Sequence, residues 1–247
     1  MSRRDLKTFV KQIGLSRSYQ EESLILEEEF KALKSRSSLT TDRESLRKIL
    51  FLSMLGYQTY SWHRLGMECA ASKELALKPI GYLLSSNFVP PCDPIRVMIV
   101  NTIINDLKDD YIQKRCALLG LSYLMTEETV PIFVNDIYKL LTSNAPPVRR
   151  MAIAAMQKAN VIDSTNKQQE TIANLLQVLC DRDPSVMGAS LPFVYELLSN
   201  DSGYFNTTNF ASCIMYIFKQ VIEGKLSSTF DYYAMPSPWM QVPYFSK

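Results

Sequence analysis

The chain has few of the residues from which catalytic and metal sites are usually built. His63 is the only histidine among 247 residues, which removes a Ser-His-Asp triad, a His-rich metal site and most general-base schemes. The sequence also contains no Cys-x-x-Cys pair, no glycine-rich phosphate loop and no nucleophile elbow. A cysteine nucleophile paired with His63 stays formally open, but a packed or surface histidine is the better interpretation. We therefore predict no enzyme, and no catalytic, cofactor-binding or metal-binding residues.

Glycine, proline and cysteine are also scarce. Eight glycines and twelve prolines separate long segments of helical period with no βαβ alternation, which predicts an all-α chain with short connectors. The cysteines are odd in number and far apart, a pattern that favours reduced, buried cytosolic thiols over a disulfide framework. The five are Cys69, Cys92, Cys116, Cys180 and Cys213.

Long apolar runs and an excess of charge are missing as well. No uncharged apolar stretch approaches the roughly 20 residues that a membrane-spanning helix needs, and residues 1–14 lack the apolar run of a signal peptide. We therefore expect a cytoplasmic protein that meets membranes only peripherally. A net charge of +2 is too small to predict binding to nucleic acid, so any charged partner requires a local basic cluster.

The clearest single element is the segment ESLRKILFLSMLGY, residues 44–57. Asp42 precedes it as a candidate N-cap, apolar residues cover most of the helix surface, and Gly56 suits the left-handed conformation that ends a helix. Residues 1–41 are predicted as amphipathic helices and a polar connector. Their first stripe is expected to dock on the chain's own helices or another subunit, with insertion into a membrane interface as the alternative; it comprises Leu6, Phe9, Val10 and Ile13.

A second pattern recurs along the chain at intervals of 35, 36 and 38 residues. A large apolar residue is followed four positions later by a small one, in the pairs Leu77 and Gly81, Ile112 and Cys116, Val148 and Ala152, and Val186 and Ser190. The small residue lets neighbouring helices approach closely while the large residue fills the gap between layers. This period predicts a right-handed α-solenoid of HEAT/armadillo-like helix pairs.

The repeat sets the predicted organisation of the chain. We assign residues 42–226 to the solenoid and residues 227–247 to an irregular tail, because the tail has three prolines and no helical stripe. Within the solenoid, residues 94–107 are apolar on nearly every side and are predicted to be sandwiched between repeats.

Several segments resemble the large adaptins, the trunk subunits of heterotetrameric adaptor complexes, and among these the epsilon adaptins of the fourth adaptor complex. They occur in the family's order: ESLRKILFLSMLGY at 44–57, VRR at 148–150, LCDRD at 179–183 and PSPWMQV at 236–242. The resemblance implies an N-terminal trunk portion, since the family continues into further helices after Val242. It also implies sigma-type small, beta-type large and mu-type medium partners, an Arf-family GTPase, and cargo sorting at the trans-Golgi network or endosomes.

Arg43, Arg47 and Lys48 form the most interesting basic group in the sequence. Basic residues in a matching helix of alpha adaptin resemble a phosphoinositide site, so these three are predicted to contact lipid phosphate at a membrane surface. The alternative is a solvated face with salt bridges to Glu44 and neighbours.

Other conspicuous side chains have two interpretations. Pairing between repeats is favoured for Arg149 and Arg150, whereas Tyr57, Tyr60 and Trp62 are either interface anchors or packing residues. The alternative function is a free-standing HEAT-repeat scaffold or regulatory subunit, such as a phosphatase subunit or a nuclear transport receptor.

Overall fold

The computed structural model describes residues 5–36, 39, 42–57, 62–90, 93, 95–163, 168–199 and 207–245. Within these ranges the chain forms thirteen α-helices, one short 3-10 helix and one two-stranded antiparallel ribbon. The predicted all-α class is confirmed. Contacts between Cα atoms divide the chain into two compact units, Met1–Leu124 and Met125–Lys247, and each is described by itself.

The first unit contains seven α-helices. They are α1 (Leu6–Leu15), α2 (Tyr19–Lys34), α3 (Arg43–Met54), α4 (His63–Ala70), α5 (Lys78–Phe88), α6 (Arg96–Lys108) and α7 (Tyr111–Leu124). The local sequence explains several ends: the Asp5 carboxylate accepts a hydrogen bond from the Thr8 N–H at 2.9 Å, and the Ser18 hydroxyl accepts one from the Glu21 N–H at 3.2 Å. Gly56 adopts φ +86° just past α3, as its position predicted.

The core of the first unit is continuous from α1 to α5. Phe9 of α1 is fully buried, and its ring meets that of Phe51 edge to face with centroids 5.9 Å apart. Leu6 and Ile13 pack against the same core, so the first helix docks on the chain's own helices, as expected. Helix α4 pairs with α5 and α6 with α7, and α5 also packs on α7.

The second unit contains six α-helices and the ribbon. Its elements are α8 (Val130–Leu140), α9 (Pro146–Ile162), α10 (Gln168–Leu179), α11 (Pro184–Ser199), α12 (Thr207–Ile222), a 3-10 turn (Ser228–Phe230), β1 (Asp231–Tyr232), β2 (Met235–Pro236) and α13 (Pro238–Phe245). Helix α8 pairs with α9 and α10 with α11, while α9 and α11 pack on each other. Prolines in the first turns of α9 and α11 suit positions whose backbone N–H has no helical partner.

The small residues of the repeat pattern lie at buried positions in the second helix of each pair. Gly81, Cys116, Ala152 and Ser190 are all buried. A Cβ atom on Gly81 would lie 2.2 Å from the Ala70 backbone nitrogen, so α4 and α5 approach as closely as a bare backbone permits. The role predicted for the small residues is confirmed there.

Two apolar segments are more exposed than the sequence predicted. Ile112 is 46% exposed, whereas the corresponding residues Leu77, Val148 and Val186 are buried. Ile112 lies in the first turn of α7, directly after the exposed Asp109 and Asp110. Helix α6 is not enclosed on every side either. It buries Ile99, Ile103 and Leu107 but leaves Val97 67% and Met98 64% exposed.

Within its described part, residues 227–245, the segment predicted as an irregular tail contains the 3-10 turn, the ribbon and α13. Strands β1 and β2 pair Tyr232 with Met235, and the two residues between them, Tyr233 and Ala234, have φ of 47° and 61°. Positive φ at both positions is the backbone of a type I′ hairpin turn. No Asn-Gly pair marks this turn in the sequence. Pro238 then begins α13, whose Met240 is fully buried.

Candidate interaction surface

Two of the three basic residues predicted to contact phosphate lie on the surface of α3, paired with carboxylates. The Arg43 guanidinium donates to Glu74 Oε1, with Nε at 3.0 Å. The Arg47 Nη1 lies 3.4 Å from Glu44 Oε1. Both arginine side chains are about half exposed. This end of α3 is therefore a half-exposed surface on which each arginine has a carboxylate partner.

Lys48 is not part of that surface, which corrects the predicted three-residue cluster. Its side chain is 1% exposed, and its Nζ donates to Glu29 Oε1 at 2.6 Å and lies 5.7 Å from the centre of the Phe9 ring. One residue further along a helix is a rotation of about 100°, so Lys48 faces α1 and α2 while Arg47 faces solvent.

Two of the three aromatic residues interpreted as interface anchors or packing residues pack inside the first unit. Trp62 is 7% exposed, and its ring centroid lies 5.3 Å from that of Phe30. Tyr57 lies against the same ring, with centroids 5.8 Å apart. The packing interpretation is confirmed for both residues, whereas Tyr60 lies outside the described residues.

A buried polar bridge ties three helices of the first unit together. The Lys78 Nζ donates to the two Asp106 carboxylate oxygens at 2.8 and 2.9 Å and to the Ala70 carbonyl at 3.1 Å. The Tyr82 hydroxyl donates to Asp106 Oδ2 at 2.6 Å. Burial, followed by the hydrogen bond and charge of Asp106, raises the pKa of Tyr82 far above its usual value. Lys78 occupies a basic position of the repeat, but no sequence pattern pointed to its pairing with Asp106.

A second bridge performs the same role in the second unit. Arg149 of α9 meets Asp181 in a two-point pair, Nε to Oδ2 at 2.7 Å and Nη2 to Oδ1 at 2.6 Å, and its Nη1 donates to the Ser143 carbonyl at 2.8 Å. Arg149 thus joins the α8–α9 turn to the α10–α11 turn. Pairing between repeats, predicted from the sequence, is confirmed for Arg149, while Arg150 is exposed.

The charge of Asp181 is set by this pair. Burial alone raises the pKa of the carboxyl group, but hydrogen bonds from Arg149 and from the Asp183 backbone N–H outweigh burial and hold the pKa below its usual value. The same pair raises the pKa of the Arg149 guanidinium, chiefly through the hydrogen bond to Asp181. Both groups are therefore charged at neutral pH, and the bridge is structural.

Apolar side chains rather than charged ones dominate the exposed faces of α6 and α12. In addition to Val97 and Met98 on α6, Met215, Tyr216 and Ile222 of α12 are each more than 60% exposed. The α12 residues border a groove of about 410 Å³ with Phe218, Lys219 and Glu223. Apolar patches of this kind occur where proteins bind other proteins.

Within the described ranges, no three His, Cys, Asp or Glu side chains are grouped so that they could hold a metal ion. None of the helices described is both long enough and apolar enough to cross a bilayer. Successive antiparallel helix pairs that pack on one another are the architecture of the HEAT-like α-solenoid class, and this chain belongs to that class.

The chain belongs to the adaptin family, because the model of the adaptin N-terminal region matches residues 21–244. It is 32% identical over 240 residues to the AP-4 complex subunit epsilon of Arabidopsis thaliana, covering 94% of this chain and 25% of that protein. It is 32% identical over 236 residues to AP-4 complex subunit epsilon-1 of Mus musculus (93% and 21%) and 30% identical over 244 residues to that of Homo sapiens (96% and 21%).

These similarities confirm the family resemblance seen in the sequence. The chain spans between a fifth and a quarter of the length of these relatives. Their names describe subunits of a complex and name no reaction. The aligned region covers both units, so the helix pairs and the exposed faces of α6 and α12 all lie in the family-matched part.

Proposed function

We propose that this chain is the scaffold portion of a large subunit in an adaptor-protein complex that acts in vesicle-mediated intracellular protein transport. The observation that carries this proposal is the match of residues 21–244 to the adaptin N-terminal region. Similarity to epsilon subunits of AP-4 complexes over more than nine-tenths of the chain supports it. The chain would act by surface complementarity, without bond chemistry.

The proposed partners are a sigma-type small adaptin, a beta-type large adaptin and a mu-type medium adaptin, with an Arf-family GTPase for recruitment. The proposed location is cytoplasmic and peripheral, on trans-Golgi network or endosomal membranes, where the complex would sort cargo. Two features support binding of other proteins. The buried bridges Lys78–Asp106 and Arg149–Asp181 hold helix pairs rigid, which lowers the ordering cost of association, and Val97 and Met98 offer exposed apolar surface.

Co-purification tests the assembly directly. An affinity-tagged chain is co-expressed with a sigma-type small adaptin and, separately, with a phosphatase catalytic subunit and with Ran. We expect the sigma-type chain to be retained in equal amount through size-exclusion chromatography. Recovery of the phosphatase subunit or of Ran, with no sigma-type chain, would overturn the proposal in favour of a free-standing HEAT scaffold.

A pair of α6 variants tests whether the exposed end of that helix contributes. Met98→Glu places a charge where apolar contact is expected and should weaken retention of the sigma-type chain about tenfold or more. Met98→Leu keeps the apolar area and should retain it. Equal retention by both variants would exclude this end of α6 from the contact without affecting the co-purification result.

We also propose that Arg43 and Arg47, without Lys48, contact lipid phosphate at the membrane surface. Both guanidinium groups are half exposed, so a phosphate can compete with Glu74 and Glu44 for them. Attraction is about 1 kcal/mol per basic residue, so Arg43→Ala/Arg47→Ala should lower affinity for anionic vesicles by roughly thirtyfold.

Vesicle co-sedimentation measures that affinity, with phosphatidylcholine vesicles that contain or lack a phosphatidylinositol phosphate. Lys31→Ala is the matched control, since Lys31 is an exposed basic residue paired with Glu27 on α2. If the double variant binds the phosphoinositide vesicles as well as the Lys31→Ala variant does, the proposed contact is wrong.

A further inference from the structure

Two thiols of the second unit face each other at contact distance. The Sγ atoms of Cys180 and Cys213 are 3.5 Å apart, although the residues are 33 positions apart in the chain. Both cysteines are free; Cys180 is exposed and Cys213 is half-buried. A disulfide bond requires the sulfur atoms to close from this distance to about 2.05 Å.

Packing fixes the position of Cys213. It lies on the face of α12 that also carries Phe210, Ile217 and Val221, all of which are buried. Residues three or four apart share a helix face, so Cys213 is directed inward with its neighbours. Helix α12 packs on α10.

The turn that carries Cys180 is also held in place. Cys180 follows α10 directly, where its N–H donates to the Gln177 carbonyl at 3.2 Å. The next residue, Asp181, is held by the two-point pair with Arg149. The turn that carries Cys180 is therefore anchored to α9 and keeps its sulfur in contact with that of Cys213.

Cys180 is also open to small molecules. It borders a cavity of about 760 Å³ at the α8–α9 and α10–α11 turns and a second cavity of about 340 Å³ beside Tyr216 and Lys225. By contrast, Cys69 and Cys116 are buried. Burial raises the pKa of Cys69 to about 11 and also raises that of Cys116, which makes both thiols unreactive at neutral pH.

We propose that Cys180 and Cys213 form a reversible dithiol site that a low-molecular-weight disulfide oxidises to an intramolecular disulfide bond, tethering α12 to the turn after α10. The Cys180 thiolate attacks one sulfur of the small disulfide, forming a mixed disulfide and releasing one small thiol. The Cys213 thiol then loses its proton, and its sulfur attacks Cys180 Sγ and expels the second small thiol. Two protein thiols lose two electrons and two protons, and one small disulfide becomes two thiols.

The environments of the two sulfurs support this order. Burial, then the hydrogen bond and charge of Cys180, raises the pKa of the Cys213 thiol. Cys213 therefore stays protonated while the exposed Cys180 makes the first attack. In reducing compartments disulfides of this kind are transient and regulatory rather than structural, and the same exchange chemistry run with a small thiol reverses the bond.

Oxidation of the full chain with oxidised glutathione under native conditions tests the site. Peptide mapping by mass spectrometry should show a Cys180–Cys213 link with the loss of two hydrogens, reversed by dithiothreitol. Closing a loop of 33 residues should raise Tm by about 5 to 10 °C over that of the reduced chain.

Cys213→Ser and Cys213→Ala are the matched controls, because each keeps Cys180 exposed but removes the second thiol. Both should accumulate the Cys180–glutathione mixed disulfide and show no such rise in Tm. The proposal is overturned if the native chain carries only a glutathione adduct at Cys180, if either thiol links to a different cysteine, or if both stay reduced while Cys180 reacts in the controls.

Discussion

At the scale of single residues, the fold depends on a few charges that are buried with their partners. Lys78 and Asp106 are 6% and 7% exposed and belong to different helices. Burying such a pair contributes little net stabilisation, because the cost of removing both charges from water offsets their attraction. Loss of one partner is costly, because it leaves the other charged group buried without a counter-charge. The bridge therefore constrains how α5 and α6 pack more than it contributes to the net free energy of unfolding.

Burial of the Lys78–Asp106 pair predicts that a single substitution is more destabilising than a combined one. Lys78→Met should lower the free energy of unfolding by about 3 to 5 kcal/mol, because Asp106 keeps its charge without its cation. The triple variant Lys78→Met/Asp106→Leu/Tyr82→Phe, which removes every polar side chain of the bridge, should recover most of that loss. Urea denaturation measures both.

The exposed pair Lys139–Asp136 provides the control. Asp136→Ala should change the free energy of unfolding by less than about 1 kcal/mol. If Lys78→Met lowers the free energy of unfolding as little as Asp136→Ala does, the buried bridge does not constrain how α5 and α6 pack.

The bridge between Arg149 and Asp181 predicts a dependence on pH. The pKa of Asp181 is lower in the folded chain than its usual value, so its ionised form stabilises the fold above the unfolded pKa, and this contribution disappears as pH falls through the folded pKa. Arg149→Met should therefore cost about 3 kcal/mol at neutral pH and clearly less below about pH 4.

Urea denaturation of the native chain and the Arg149→Met variant between neutral and acidic pH measures this difference. Lys139→Met serves as the comparison, since that lysine is 76% exposed. A difference between the native chain and the Arg149→Met variant that stays constant over the whole pH range would show that the charge of Asp181 is not what the arginine stabilises.

At the scale of helices, close approach of backbones sets how each pair packs. Gly81→Ala would place a Cβ atom 2.2 Å from the Ala70 nitrogen and 2.6 Å from the Cys69 carbonyl carbon. Backbone atoms cannot move aside as a flexible side chain can, so we expect a loss of at least about 3 kcal/mol in the free energy of unfolding. Circular dichroism followed through thermal unfolding measures it as a lower Tm.

Gly14→Ala is the matched substitution within the same unit. Apart from its chain neighbours and the nearby backbone of α1, no heavy atom lies within 4 Å of the added Cβ, and alanine is more favourable than glycine in a helix by about 0.5 to 1 kcal/mol. This variant should be slightly more stable than the native chain. Equal effects of the two substitutions would mean that the contact between α4 and α5 is looser than the structure shows.

The sequence predicted where a helix ends better than it predicted which helix faces are buried. Gly56 marks the end of α3, as the backbone preference of glycine predicts. The ribbon at Tyr232 and Met235 could not be predicted in the same way, because the two turn residues have no intrinsic preference for positive φ. Burial of Met240 in the following helix, where its Cγ would lie 3.3 Å from a Cβ atom added at Gly188, helps hold this segment in place.

At the scale of the whole molecule, the exposed apolar face of α12 should govern behaviour at high concentration. Met215 and Ile222 are 63% and 62% exposed, so Met215→Gln/Ile222→Gln removes apolar surface without disturbing the core. The double variant should show less concentration-dependent self-association than the native chain, with Tm unchanged within a few degrees. Multi-angle light scattering over a concentration series measures it.

A conservative double variant tests whether self-association depends on the apolar character of the α12 face and not on the particular side chains. Met215→Leu/Ile222→Leu keeps the face apolar and should associate as the native chain does. If the glutamine variant associates to the same extent as the leucine variant, another part of the surface is responsible. The α12 face would then have no measurable effect on association.

The sequence by itself determined the fold class, the interval of the helix pairs and the family, because these depend on the order and spacing of apolar, small and capping residues. Only the tertiary structure decided which side chains meet. Lys48 turned inward to Glu29, Lys78 reached Asp106, and Cys180 met Cys213, at separations of 19, 28 and 33 residues. Local preferences extend over a few residues of chain, whereas burial and pairing at these distances depend on how whole helices pack.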